Sequence, residues 1–188
     1  MNTPKIIFDF PKDRSSIIKV IGVGGGGSNA VNHMYRQGIN GVDFFVCNTD
    51  QQALEKSPVP NKIQIGNNLT EGRGAGSNPE MGKKAALESI EEIIDLLGVN
   101  TKMIFVTAGM GGGTGTGAAP IIAKTAKELG ILTVGIVTTP FSYEGPKRKA
   151  QAEDGINALR NAVDSLLIIS NDKVKEMYGN LPLRQAFG

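Results

Sequence analysis

The chain has 188 residues, of which 40% are hydrophobic and 20% charged, with a formal net charge of +2. That balance belongs to a folded globular protein of one domain, and it is too neutral to suggest binding to nucleic acid or a membrane surface through bulk charge. A single cysteine, Cys47, excludes an intrachain disulfide. The absence of an 18-residue apolar stretch or a signal-type N-terminus leads to the expectation of a cytoplasmic protein.

Residues 1–14 hold Pro4 and Pro11 among mixed charges and are expected to form a loose arm, with 15–188 as the folded domain. Apolar runs at 17–23, 42–47, 62–65 (the weakest), 103–108, 132–137 and 166–169 read as strands. Helical patterns fall between them at 28–37, 79–97, 117–129, 146–162 and 172–178. In the second of these, Leu87, Ile90, Ile94 and Leu97 recur at three- to four-residue spacing and predict an apolar face. Glu88, Glu91, Glu92 and Asp95 are then a solvated face rather than a metal site, because no His or Cys accompanies them. Near-continuous apolar strands joined by helices predict an α/β fold, an open and mostly parallel sheet of Rossmann-like type with helices on both faces. Cys47 lies within such a strand, which predicts a buried, inert thiol.

Glycine makes up 25 residues, nearly twice the usual ~7%, and it is concentrated in loops that directly follow strands. The first loop is Gly22-Val23-Gly24-Gly25-Gly26-Gly27-Ser28-Asn29 and the second is Gly109-Met110-Gly111-Gly112-Gly113-Thr114-Gly115-Thr116-Gly117. Each glycine costs an ordered element roughly 0.5–1 kcal/mol, so such runs need a reason. Close approach of bare backbone N–H groups to a polyanion supplies one. The first loop alone satisfies G-x-G-x-x-G, with Asp43 and Asp50 near the distance of a ribose-binding acid, and permits an NAD-dependent oxidoreductase. The second loop argues against that reading, since a dinucleotide fold needs one fingerprint. Two helix N-termini facing one crevice suit a di- or triphosphate. No G-x-x-x-x-G-K-[ST] motif occurs, which excludes a P-loop protein.

The run 111–117 resembles the signature loop of the tubulin/FtsZ family of GTPases. The resemblance extends across 17–188 through segments 20–29, 48–50, 74–82, 108–120, 137–141, 144–148 and 170–172. It implies GTP or GDP as ligand, with Mg²⁺ held by phosphates and water and no metal ligand from a side chain. Phosphate contacts are implied for Gly25, Gly26, Gly27 and Ser28, for Ala75, Gly76 and Ser77, and for Gly112, Gly113, Thr114, Gly115 and Thr116. Base and ribose contacts are implied for Asn29, Thr138, Pro140, Glu144, Arg148, Asn171 and Phe187. Taken without the family, Asn29 also admits a reading as a helix cap. Asn48 and Asp50 are implied near the nucleotide or in a longitudinal contact between subunits. Lys147 and Lys149, beside Arg148, are expected to be solvated.

The family further implies a head-to-tail filament, a division-site location at midcell, and division proteins as partners through a C-terminal tail, with no nucleic acid and no direct membrane insertion. It takes its water-activating acids from a loop of the next subunit. The chain stops where the family's central helix should begin, so the central helix, catalytic loop, second domain and tail are expected to be absent. On that reading the chain binds nucleotide but is nearly inactive alone and exposes apolar surface where the central helix would dock. A nucleotide-dependent assembly partner without catalysis is a third functional class that this length permits. The lone His33 has no partner histidine and is read as packing or surface. Met34, Met103, Met110 and Met177 are read as gap-fillers or loop contacts.

Overall fold

The computed structural model describes residues 16–98 and 100–179; the 1–14 arm and Phe187 lie outside them. Six strands form one parallel sheet: β1 (Ile18–Val23), β2 (Asp43–Asn48), β3 (Asn61–Gln64), β4 (Met103–Gly109), β5 (Leu132–Thr139) and β6 (Ser165–Ser170). Their order is β3-β2-β1-β4-β5-β6, so β1 and β4 are neighbours at the point where the strand order reverses. Val23 pairs in register with Ala108, which brings both glycine loops off adjacent carboxyl ends.

The helices are α1 (Gly24–Arg36), α2 (Gln51–Glu55), α3 (Asn67–Thr70), α4 (Pro79–Glu88), α5 (Ile90–Leu97), α6 (Thr114–Glu128), α7 (Pro146–Ala162) and α8 (Asn171–Tyr178). Alternation along the strands divides the core in two. Ile21 and Val23 of β1, with Ile104, Val106 and Ala108 of β4, face a cluster built with Ala118, Ile122 and Ala126 of α6 and Leu159 of α7. Val20 points to the opposite face, where Val31 of α1 packs with Phe44 and Val46. Cys47 is wholly buried in the larger cluster, and burial pushes its thiol up to about 12.

The structure departs from the sequence pattern at several places. The predicted helix over 79–97 breaks at Ser89, whose hydroxyl accepts a hydrogen bond from the Gly66 N–H at 3.2 Å. The break resets the phase, so Ile93 and Leu97 are buried while Leu87 and Ile94 are exposed; the acidic residues remain solvated. Both helices after the glycine loops begin earlier than predicted, α1 at Gly24 rather than 28 and α6 at Thr114 rather than 117. Met177, read as a gap-filler or loop contact, is exposed on α8. His33 is half-buried at the surface, where its ring hydrogen-bonds to Gln37 at 2.9 Å. The outer strand β6 leaves Leu167, Ile168 and Ile169 exposed. Among the described residues no helix is long and apolar enough to cross a membrane.

At the amino-terminal ends of the strands, Lys19 is buried in β1. Its Nζ donates to the Leu96 and Leu97 carbonyls at the end of α5 and lies 5.4 Å from the Phe45 ring centroid. Burial lowers the pKa of its ammonium, an effect that Asp43 partly opposes. This cation completes a helix C-terminus and stands apart from the carboxyl-end loops.

Candidate functional site

The carboxyl ends of β1, β4, β5 and β6 open into one crevice of about 330 Å³. Gly25 and Gly26 line one wall, and Gly112, Gly113, Thr114 and Gly115 line the facing wall; Thr138, Pro140, Glu144, Arg148 and Asn171 close the end. The two loops touch. A methyl built on Gly26 would lie 3.0 Å from the Gly109 Cα, and one on Gly24 would lie 2.8 Å from the Gly115 nitrogen. Gly27 is packed against the sheet, where a Cβ would overlap the Thr107 carbonyl oxygen. Only glycine lets α1 descend this far between β1 and β4.

The helices opening into the crevice carry free donors. Neither α1 nor α6 has a side-chain cap or an acidic residue in its first turn. By contrast, α2, α4 and α8 are capped by Asp50, Asn78 and Ser170. Orphan N–H groups and two aligned helix dipoles give the crevice a positive field without a lysine. Its charged side chains are Arg148 and Glu144, paired at 2.6 Å, and the other carboxylate oxygen of Glu144 accepts from the Phe141 N–H at 2.8 Å. Lys147 and Lys149 are exposed. Among the described residues two side-chain polar atoms are buried without a partner, Asn171 Oδ1 and Ser28 Oγ. Buried polar atoms are rarely left unsatisfied, and Asn171 lines the crevice, where a ligand would supply the missing bond.

The remaining sequence-predicted residues fall around this crevice rather than in it. Ala75 is buried behind the second loop, where a methyl on Gly113 would come within 2.8 Å of its Cβ. Gly76 and Ser77 are exposed, and Ser77 holds a left-handed φ of 57°. Thr116 turns its hydroxyl to accept from the Gly111 N–H at 2.9 Å, and its own residue lines a different cavity. Asn29 is exposed on α1. Asn48 accepts from the Thr49 and Asp50 N–H groups at 2.9 and 3.3 Å, so its side chain shapes its own turn. Asp50 accepts from the Ala53 N–H at 3.0 Å and lines a separate polar cavity with Glu55, Glu71 and Arg73.

Sequence reasoning missed Gly109 and Met110, which line the crevice, and Thr49. The Thr49 and Thr114 hydroxyls bond at 2.7 Å in the interior and tie the turn after β2 to the second glycine loop. The hydroxyl following Asn48 at a strand's carboxyl end was the available signal. Among the described residues no group of three or more His, Cys, Asp or Glu could hold a metal ion.

Comparison with known proteins gives a consistent result. The family model for the GTPase domain of the Tubulin/FtsZ family matches residues 17–179. The cell division protein FtsZ of Aquifex aeolicus is 56% identical over 171 residues, covering 90% of this chain and 46% of that protein. Among solved structures, an FtsZ dimer from M. jannaschii superposes with a TM-score of 0.86 at 42% identity, covering 94% of this chain and 51% of the other. CetZ2 from Haloferax volcanii superposes with a TM-score of 0.80 at 26% identity, covering 90% and 53%. The chain therefore spans about half the length of the relatives it matches. A six-stranded parallel sheet, two glycine loops joined across its switch point, and relatives of this similarity lead to one assignment: the chain belongs to the tubulin/FtsZ family, over its GTPase domain.

Proposed function

We propose that the crevice binds GTP and GDP and that the chain is the nucleotide-holding part of a polymerising cell-division GTPase. The convergence of two uncapped, glycine-built helix N-termini on one crevice carries this reading. Gly25, Gly26, Gly112, Gly113, Thr114 and Gly115 offer N–H groups to the phosphates, with Gly27, Ser28 and the loop of Ala75, Gly76 and Ser77 behind or beside them. Asn171 offers an amide whose oxygen lacks a partner, suited to a donor on the base edge; Asn29, exposed on α1, is assigned to the base by kinship alone. Glu144 accepts from a ribose hydroxyl while Arg148 supplies a planar donor fork; Thr138 and Pro140 line the same end, and Phe187, outside the described residues, is assigned to the base by kinship alone. Mg²⁺, held by phosphates and water, neutralises charge on the phosphates when bound.

Glu144, the carboxylate that lines the crevice among the described residues, is held by Arg148 and the Phe141 N–H, which fixes it to meet the ribose. The hydrolytic acid is assigned to the next subunit of a head-to-tail filament, a heterologous contact that propagates into an open polymer. The named relatives point the same way: one solved FtsZ is a dimer, and one CetZ2 structure is a GTPγS-bound protofilament. Asn48 and Asp50, on the polar turns beside the crevice, are assigned to the nucleotide side of that contact. The cytoplasmic division site, and division proteins as partners, follow from the same kinship. The test is calorimetric: GDP binds this chain saturably and is displaced by GTP but not by NAD. Failure to bind any guanine nucleotide, or displacement by NAD, overturns the reading.

A further inference from the structure

One residue outside the crevice spends each of its polar groups on holding the elements around it. Thr49 follows Asn48 at the end of β2 and is wholly buried. Its N–H donates to the Asn48 Oδ1 at 2.9 Å, and its Oγ1 lies 2.7 Å from the Thr114 Oγ1. Its carbonyl accepts from the Gly74 N–H at 3.2 Å. The Thr70 hydroxyl, also 3.2 Å away, is shared between that carbonyl and the Gly66 carbonyl at 3.0 Å. Thr114 lines the crevice; Thr49 does not.

Both elements held by Thr49 need an anchor. Thr114 opens α6, whose first turn has no side-chain cap. The N–H groups of a first turn lack helical partners, so their aim depends on where the helix start is fixed. Gly74 leads into the loop of Ala75, Gly76 and Ser77. Five of the seven residues from Glu71 to Ser77 hold a positive φ, two of them, Glu71 and Ser77, without being glycine. Local propensity does not favour that path, and bonds from outside must fix it. Asp50, next along the turn, shares the Asn48 Oδ1 at 3.3 Å and pairs with Arg73 in an isolated antiparallel bridge.

The geometry points to Thr49 as a positioning residue of the nucleotide site: its hydroxyl fixes the start of α6 for phosphate, and its backbone makes Gly74 and the Asp50 turn follow that fit. The inference rests on the proposed binding of GDP in the crevice. Phosphate drawn onto the start of α6 displaces Thr114. A buried hydroxyl parted from its partner is left unsatisfied, so Thr49 moves with Thr114 and carries the displacement outward.

The test titrates GDP into the ¹⁵N-labelled 188-residue chain. In the parent, the Asp50 and Gly74 amides, which do not line the crevice, are expected to shift with the same dissociation constant as Gly113. Thr49→Val keeps the shape and removes the hydroxyl. GDP is expected to bind it about fivefold more weakly, the worth of one hydrogen bond. The Asp50 and Gly74 shifts are then lost while that of Gly113 remains, and Thr49→Ser restores both affinity and shifts. Thr114→Val breaks the same bond from the other side, and in that background Thr49→Val is expected to weaken GDP no further. Three results each overturn the positioning role: parent Asp50 and Gly74 amides that do not move, a Thr49→Val chain that binds GDP as the parent does, or a Thr49→Val loss undiminished beside Thr114→Val. The first of these needs no variant to fold. A parent that binds no guanine nucleotide faults the crevice reading itself, and this inference falls with it.

Discussion

Replacing Gly25 by alanine separates binding from folding. A Cβ at Gly25 meets nothing within 4 Å, and the residue's φ lies outside the left-handed region. Inside a helix, alanine is favoured over glycine by about 0.5–1 kcal/mol, so urea unfolding should show equal or slightly higher stability. The added methyl, however, stands on the wall where N–H groups must reach phosphate oxygens at ~2.7–3.2 Å. Losing one charge-assisted hydrogen bond of about 1.5–3 kcal/mol weakens GDP by roughly 10- to 150-fold. Gly27→Ala, two residues on, is the contrast. Its Cβ would overlap the Thr107 carbonyl, so stability should fall by about 1–3 kcal/mol. Calorimetric titration with GDP, run beside denaturant unfolding, reads both quantities. A folded Gly25→Ala chain that binds GDP as tightly as the parent would refute the phosphate role of the first loop.

Asn171→Ala removes a buried oxygen that has no partner, so stability should hold or rise slightly while GDP affinity and the preference for GDP over ADP both fall; competition titrations measure this. Cys47, with its thiol pushed up to about 12 by burial, should react with a thiol reagent at pH 8 only as fast as the chain unfolds, and rapid labelling of the native chain would contradict the packing. Asp164 is held below the usual carboxylate range by the Thr133 N–H at 2.9 Å and by Lys127 at 3.3 Å. Its contribution is therefore present above the ordinary carboxylate pKa and lost as pH falls through the depressed value. Asp164→Asn should lower Tm at pH 7, and the two Tm curves should draw together as pH falls through the depressed value.

The six strands were readable because apolar runs between glycines and polar turns admit few alternatives to a buried parallel strand. Chain order and right-handed crossover geometry then made the β1–β4 adjacency a natural expectation. The helix starts were not readable from propensity. Glycine argues against helix, yet α1 begins on four of them because Gly27 must slide under the Thr107 carbonyl. The helices α2 and α3, of five and four residues, are too short for a periodicity to register. The kink at Ser89 depends on a hydrogen bond to Gly66, a residue 23 positions away that local pattern cannot see. At the site, spacing and kinship pointed to the glycine loops. The pairing of Glu144 with Arg148, the Thr49–Thr114 link and the turning away of Thr116 are tertiary facts.

The central claim is that both glycine loops grip one polyphosphate. A GDP titration followed by ¹H–¹⁵N correlation spectra reads it directly, residue by residue. The amides of Gly25 and Gly26 and those of Gly112, Gly113 and Gly115 should shift together and fit one dissociation constant. Shifts confined to a single loop, or two loops titrating with separate constants, would contradict the account.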